Sequence, residues 1–270
     1  MENILHIVVC AGIVPDPLQS LEPVTGPNGP SLKNETVLPA VLDPWAASAL
    51  YEAAALAKKI AGSRVWLVSL GPKAKLQQVM MTVAQKASFE FVPVDGPLGG
   101  FGDAHATAAV LSETIAGLAG LDRQRLLVFG GWESASRGAG VTLQLVGERL
   151  GIGDQFQGVD QIEFLEDGSF EVLERIEGGK HQVSVFAGPP AVLGWATGSL
   201  AEPRGNPQIG MANMRGIIPA LQRAKTAALA ANGLYYMSMS LPKAQRTTRV
   251  VNDMAPEAIA AELVAWIREE

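Results

Sequence analysis

One cysteine among 270 residues leaves no partner for an internal disulfide, so the chain's stability rests on packing. That residue, Cys10, falls inside an apolar run, where a buried and inert thiol is the default state. A reducing compartment fits such a composition, and the expected location is cytoplasmic. Charge of one sign is also missing. The 21 Lys and Arg residues are interspersed with 27 Asp and Glu, for a formal net charge of −6, and no basic stripe exists to neutralise nucleic-acid phosphates. Nucleic acid is therefore excluded as an expected partner. Charged or turn residues interrupt every apolar run well short of the about 20 residues that a membrane-spanning helix needs, so an integral membrane protein is not expected. The opening Met1-Glu2-Asn3 lacks the basic stretch of a signal peptide.

Catalytic signatures are equally scarce. The three histidines, His6, His105 and His181, have no Cys or carboxylate at metal-ligand spacing, so no metal is expected. The chain has no G-x-S-x-G elbow, no Cys beside a turn after a core strand and no obvious carboxylate pair, so no catalytic residue is expected. It reads as a protein built to hold something.

The regular elements alternate. Residues 4–10 form a short apolar run rich in β-branched side chains, broken by Gly12 and Pro15-Asp16-Pro17, which predicts a buried strand. A Pro/Gly/Asn-rich excursion follows over 18–42. Asp43-Pro44 supplies a cap and a first-turn proline for a helix running to Ala61, with Gly62 as its stop. Strands at 64–70, 89–94 and 125–129 alternate with helices at 75–86, 103–119 and 138–150. This grammar predicts an α/β domain with a doubly wound, mostly parallel sheet, whose ligands gather beyond the carboxyl ends of the strands.

From about Gly158 the pattern becomes antiparallel: runs at 160–165, 170–176 and 182–186 are separated by turn sequences. A further core strand at 191–197, a mostly helical stretch at 211–231 around Pro219 and a terminal helix at 256–269 complete the reading. Ile259, Leu263 and Ile267 give that last helix an apolar stripe able to dock on its own core or on another subunit.

The loop Gly130 to Thr142 joins a core strand to a helix start and brings together backbone N–H groups, hydroxyls and Arg137, a setting suited to a phosphate. It is neither a Walker A sequence nor a GxGxxG fingerprint, so an ordinary flexible loop stands as an equal alternative. Asp16, Asp43 and Asp103 are caps or turn formers first, and ribose or magnesium ligands only second. Trp45, Trp132 and Trp195 are candidates for stacking on an aromatic ligand, with core packing as the commoner role.

Several ordered segments then fall into one scheme. Val14-Pro15-Asp16, Asp43-Pro44-Trp45 with Ala49 and Glu52, and Ser69-Leu70-Gly71-Pro72 occur in the first third of the chain. The stretch Asp103 to Val110, the loop Gly131 to Thr142, Leu200-Ala201-Glu202-Pro203-Arg204, and Leu241-Pro242 to Val250 follow. In order and spacing these resemble the beta subunit of electron-transfer flavoproteins.

The resemblance implies an adenine-nucleotide-hydrolase-like domain over 1–231, and an arm and helix over 232–270 that dock on the partner subunit. It implies a heterodimer in which the alpha subunit carries FAD, this subunit usually binds AMP, and electrons pass from a dehydrogenase to a quinone or other redox acceptor. It places Ala11, Asp43, Ser69, Ser134, Ser136, Arg137, Gly138, Ala139, Gly140, Val141 and Thr142 at the nucleotide, and Pro17 and Trp45 on the flavin side. Leu200 takes the place of an apolar anchor for the dehydrogenase, with packing beneath its own loop as an equal alternative.

The sequence departs from the family at Gly12-Ile13, Lys86-Ala87-Ser88, Ser134-Ala135-Ser136 and Gly138-Ala139-Gly140. AMP, FAD, NAD or an empty structural loop therefore remain open at that site. Two other functions also remain open: a stand-alone AMP- or ATP-binding module, and a subunit of an NADH-oxidising, electron-bifurcating complex.

Overall fold

The computed structural model describes residues 4–26, 29–35, 37–97, 103–136, 138, 140–228, 237–238, 240–241, 248 and 250–268. Strand β1 (His6–Cys10) is buried at every position, as a parallel strand covered on both faces must be. It continues into β2 (Ile13–Pro15), and the excursion after it contains the hairpin β3 (Pro23–Gly26) and β4 (Gly29–Leu32). Strand β5 (Ala40–Leu42) then returns to pair antiparallel with β2. Asp43 caps α1 (Pro44–Lys59) by accepting from the Trp45 N–H, with Pro44 preset for the first turn.

There follow β6 (Arg64–Gly71), α2 (Lys73–Val83), β7 (Glu90–Asp95), α3 (Ala104–Ala116), β8 (Leu126–Gly131) and α4 (Thr142–Leu150). The second half holds β9 (Gln155–Phe164), β10 (Phe170–Ile176), β11 (Lys180–Phe186), β12 (Ala191–Trp195), α5 (Pro207–Arg223), β13 (Lys225–Thr226) and α6 (Pro256–Arg268).

Nine strands form one sheet in the order β11-β10-β9-β12-β8-β1-β6-β7-β13. From β1 the chain winds outward through β6 to β7, then crosses back through α3 to β8 on the other side of β1. The strand order thus reverses between β1 and β8, the place where an open α/β sheet leaves a crevice at its carboxyl edge. Alternate residues of the central strands face opposite layers. Ile7, Val9, Leu67, Phe129 and Trp195 join the core with α1 and α2, whereas Val8, Trp66, Val128 and Val192 join the one with α3 and α4. Full burial of each such side chain contributes about 1.5–3 kcal/mol. The expected doubly wound α/β architecture is the observed one.

Three elements differ most from the sequence reading; the other helices and strands shift by three residues or fewer. Helix α4 starts at Thr142 rather than 138, because Gly138 has a φ of 61° and Gly140 packs so tightly on the Trp132 carbonyl that a Cβ there would lie 2.6 Å from its oxygen. Helix α5 begins earlier and ends earlier than 211–231. Asn206 accepts from the Gln208 and Ile209 N–H groups to start it, and beyond Arg223 the chain pairs with β7 instead. Residues 229–231 lie outside the described residues. Strand β9 starts at Gln155 and pairs first in parallel with β12. Gly158, at φ 67°, then allows the irregularity after which the strand pairs antiparallel with β10.

Candidate functional site

A cleft of about 140 Å³ opens at the reversal point between β1 and β8. Cys10, Ala11 and Gly12 at the end of β1 form one wall, Gly130 and Gly131 at the end of β8 the next, and Thr142 and Leu143 of α4 another. Asp43, Glu133, Ser134, Ser136 and Thr107 provide its polar side chains. Of the residues expected at the nucleotide, Ala11, Asp43, Ser134, Ser136 and Thr142 line this cleft. Glu133 and Thr107 were not singled out, although Glu133 lies in the expected loop and Thr107 one turn into a helix whose cap was identified.

Asp43 organises the site. It is only 4 % exposed, and its two carboxylate oxygens do different work: Oδ1 accepts from the Trp45 N–H at 3.2 Å and Oδ2 from the Ala135 N–H at 2.9 Å. One side chain therefore both starts α1 and fixes the β8–α4 loop. Burial raises its pKa above 3.8, opposed by hydrogen bonds from Ala135, Ser134, Trp45 and Ala46. The loop also bonds to itself: the Ser136 N–H donates to Ser134 Oγ at 3.3 Å and the Gly138 N–H to the Ser134 carbonyl at 2.7 Å. These three backbone donors are spent inside the protein.

The beginning of α4 is different. Val141 is its N-cap and no side chain caps it, so the helix end that lines the cleft keeps its positive partial charge. An anion fits at that end, and Asp43 and Glu133 place carboxylates on the cleft lining. A nucleoside monophosphate carries an anion and hydroxyl groups, and this donor and acceptor set fits one.

The remaining expected residues are distributed more widely. Ser69 is fully buried and donates its hydroxyl to the Ala11 carbonyl at 2.6 Å, which holds the wall of the cleft rather than lining it. Cys10 reaches the cleft with its thiol pKa pushed up to about 12 by burial, so it stays protonated and unreactive. Trp45 packs its Cβ against Gly131, where an added methyl group would lie 2.7 Å away. Pro17 is exposed on the loop after β2, next to Leu18 at 91 % exposure. Arg137 and Ala139 lie outside the described residues.

Leu200 stands apart from the cleft, in the loop after β12, and is 44 % exposed. Tyr51 donates to Glu202 at 3.4 Å and Lys86 forms an ion pair with the same carboxylate, so this loop is tied to α1 and to the segment after α2. Helix α6 has no buried residue: Ile259, Leu263, Val264, Trp266 and Ile267 are 45–76 % exposed. Of the expected arm at 241–250, residues 242–247 and 249 lie outside the described residues. Among the described residues no helix is long and apolar enough to cross a membrane, and no cluster of His, Cys, Asp or Glu has the grouping to hold a metal.

No curated protein matches the chain. The family model described as electron transfer flavoprotein domain matches residues 34–231, which takes in the β8–α4 loop, the Leu200 loop and the cleft residues from Asp43 onward, but not the wall formed at the end of β1. On that match, over well more than half of its length, the chain belongs to the electron transfer flavoprotein domain family and has a role in electron transfer by a flavoprotein.

Proposed function

We propose that this chain is the beta-type subunit of a heterodimeric electron-transfer flavoprotein, passing electrons from a dehydrogenase to a quinone or other redox acceptor through FAD held mainly by the alpha subunit. The observation that carries this reading is α6. An amphipathic helix that leaves Leu263, Trp266 and Ile267 at 48 %, 59 % and 76 % exposure has an apolar stripe that the described residues do not bury. A partner subunit that covers the stripe supplies the missing burial. A stand-alone nucleotide module has no use for such a helix.

FAD supplies the redox chemistry, and this chain contributes position and electrostatics. Trp45, in the first turn of α1, and Pro17, on the loop after β2, approach the flavin side. The cleft takes AMP as a structural nucleotide, with its phosphate at the start of α4 and its hydroxyls towards Asp43 and Glu133. Leu200 is the anchor that enters an apolar pocket of the dehydrogenase.

The test is co-expression with the candidate alpha subunit, size-exclusion chromatography, and identification of the small molecules that denaturation releases. A heterodimer releasing FAD supports the carrier reading, and AMP released alongside it supports the nucleotide assignment. A stable, colourless monomer with an unaltered α6 refutes the subunit reading. Rapid reduction of the flavin by NADH would instead favour an electron-bifurcating complex.

A further inference from the structure

Glu52 lies in the second half of α1, is only 7 % exposed, and has no role in the cleft. A carboxylate so deeply buried needs donors, and those it has come from the Leu200 loop. Its Oε1 accepts from the Ser199 N–H at 2.7 Å, the Ser199 hydroxyl at 3.2 Å and the Leu200 N–H at 3.0 Å. The residue before these, Gly198, has a φ of 71°, and a Cβ there would come within 2.8 Å of the same oxygen. Backbone conformation and lack of a side chain at Gly198 are thus both required for the carboxylate to reach the loop. At the start of the loop, Arg175 bridges Asp160 on β9 and the Thr197 hydroxyl, at 2.8 and 2.6 Å.

We propose that Glu52 is the positioning residue of the partner-docking loop: by gathering the Ser199 and Leu200 donors on one buried oxygen, it holds Leu200 outward in its docking conformation before the partner arrives. The proposal rests on the reading of Leu200 as the dehydrogenase anchor. Its physical content is preorganisation. An exposed leucine on a free loop loses conformational entropy on insertion, whereas one on a loop already bonded to α1 loses little, so the same contact yields tighter binding. Bonds to a charged acceptor suit this task because they are stronger than neutral ones.

The test uses the assembled flavoprotein and the flavin-dependent dehydrogenase purified by its ability to reduce the wild-type complex. Glu52→Ala, Glu52→Gln, Leu200→Ala and the Glu52→Ala/Leu200→Ala double variant are compared. Two readouts are taken: amide hydrogen exchange of residues 199–200, and KM and kcat for flavin reduction. In Glu52→Ala, exchange at Ser199 and Leu200 accelerates about tenfold or more, as loss of charge-assisted bonds requires. The KM for the flavoprotein rises while kcat stays near that of wild type. Glu52→Gln, whose amide oxygen still accepts, restores part of both. The double variant has the KM of Leu200→Ala, because a released loop costs nothing further once the anchor is gone.

Unchanged exchange in Glu52→Ala overturns the proposal, as does a KM penalty that multiplies in full with that of Leu200→Ala. If Leu200→Ala raises KM and Glu52→Ala does not, the positioning role fails and the anchor reading stands. If Leu200→Ala leaves KM unchanged, the anchor reading itself fails and the proposed docking role of Glu52 fails with it.

Discussion

Replacing Asp43 by alanine removes a cap and a cross-link in one step. Loss of the α1 cap costs about 0.5–2 kcal/mol. Loss of the Ala135 hydrogen bond, whose partner lies 92 positions away in sequence, adds about 0.5–1.5 kcal/mol, because Ala135 is exposed and water can take up its N–H. Burial of the carboxylate, which raises its pKa, offsets part of this, and the expected net loss is about 2 kcal/mol. Urea unfolding of the purified chain, followed by tryptophan fluorescence, reads that loss as a midpoint lowered by roughly 1 M at an unchanged slope.

The pH dependence has a definite sign. The folded-state pKa lies above the unfolded value of 3.8, so the folded protein holds this proton more tightly. The group's contribution to stability is therefore greatest below 3.8 and declines as pH rises through the folded-state pKa. The deficit of Asp43→Ala is largest in acid and shrinks towards neutrality. A loss below about 0.5 kcal/mol, the range of unimportant surface positions, refutes the assigned role, and so does a deficit that grows with pH.

His6 predicts the opposite pH sign. Its Nδ1 accepts from the Asp122 N–H at 2.8 Å, and burial, with Arg64 adding to it, lowers its pKa from 6.5. The folded protein requires the neutral ring, so this stability is complete above 6.5 and is lost as pH falls from there through the lowered folded-state pKa. Unfolding midpoints of wild type and His6→Gln between about pH 5 and 8 should converge towards acid, and parallel curves would contradict the assignment. Leu263→Asp on α6, at a position 48 % exposed, should change the stability of the isolated chain by no more than about 0.5 kcal/mol. It should weaken assembly with the alpha subunit at least about tenfold in titration calorimetry, and undiminished assembly would remove α6 from the interface.

Local signals made the elements legible. Asp43-Pro44, Asp103 and Gly151 marked the helix ends where the structure has them, because a cap is an interaction within a few residues of its own position. Continuous apolar runs announced the central strands because a parallel strand buries both faces. The helix starts at 138 and 211 were misplaced because the deciding contacts were elsewhere: Gly140 folding back on Trp132, and Asn206 capping ahead of the apolar pattern.

The sequence by itself determined the α/β class, the glycine-rich junction between β8 and α4 and the apolar stripe of α6, since each depends on residue type and short spacing. Tertiary structure decided how those parts act on one another. It spends the Ala135 N–H on Asp43, commits the Ser69 hydroxyl to Ala11, and brings Glu52 to Leu200 across 148 positions. Such pairs obey no sequence period. They form because the sheet order sets β1 between β6 and β8 and puts the N-terminus of α1 beside the β8 loop, and hydrogen-bond donors are matched to acceptors by distance in space rather than along the chain.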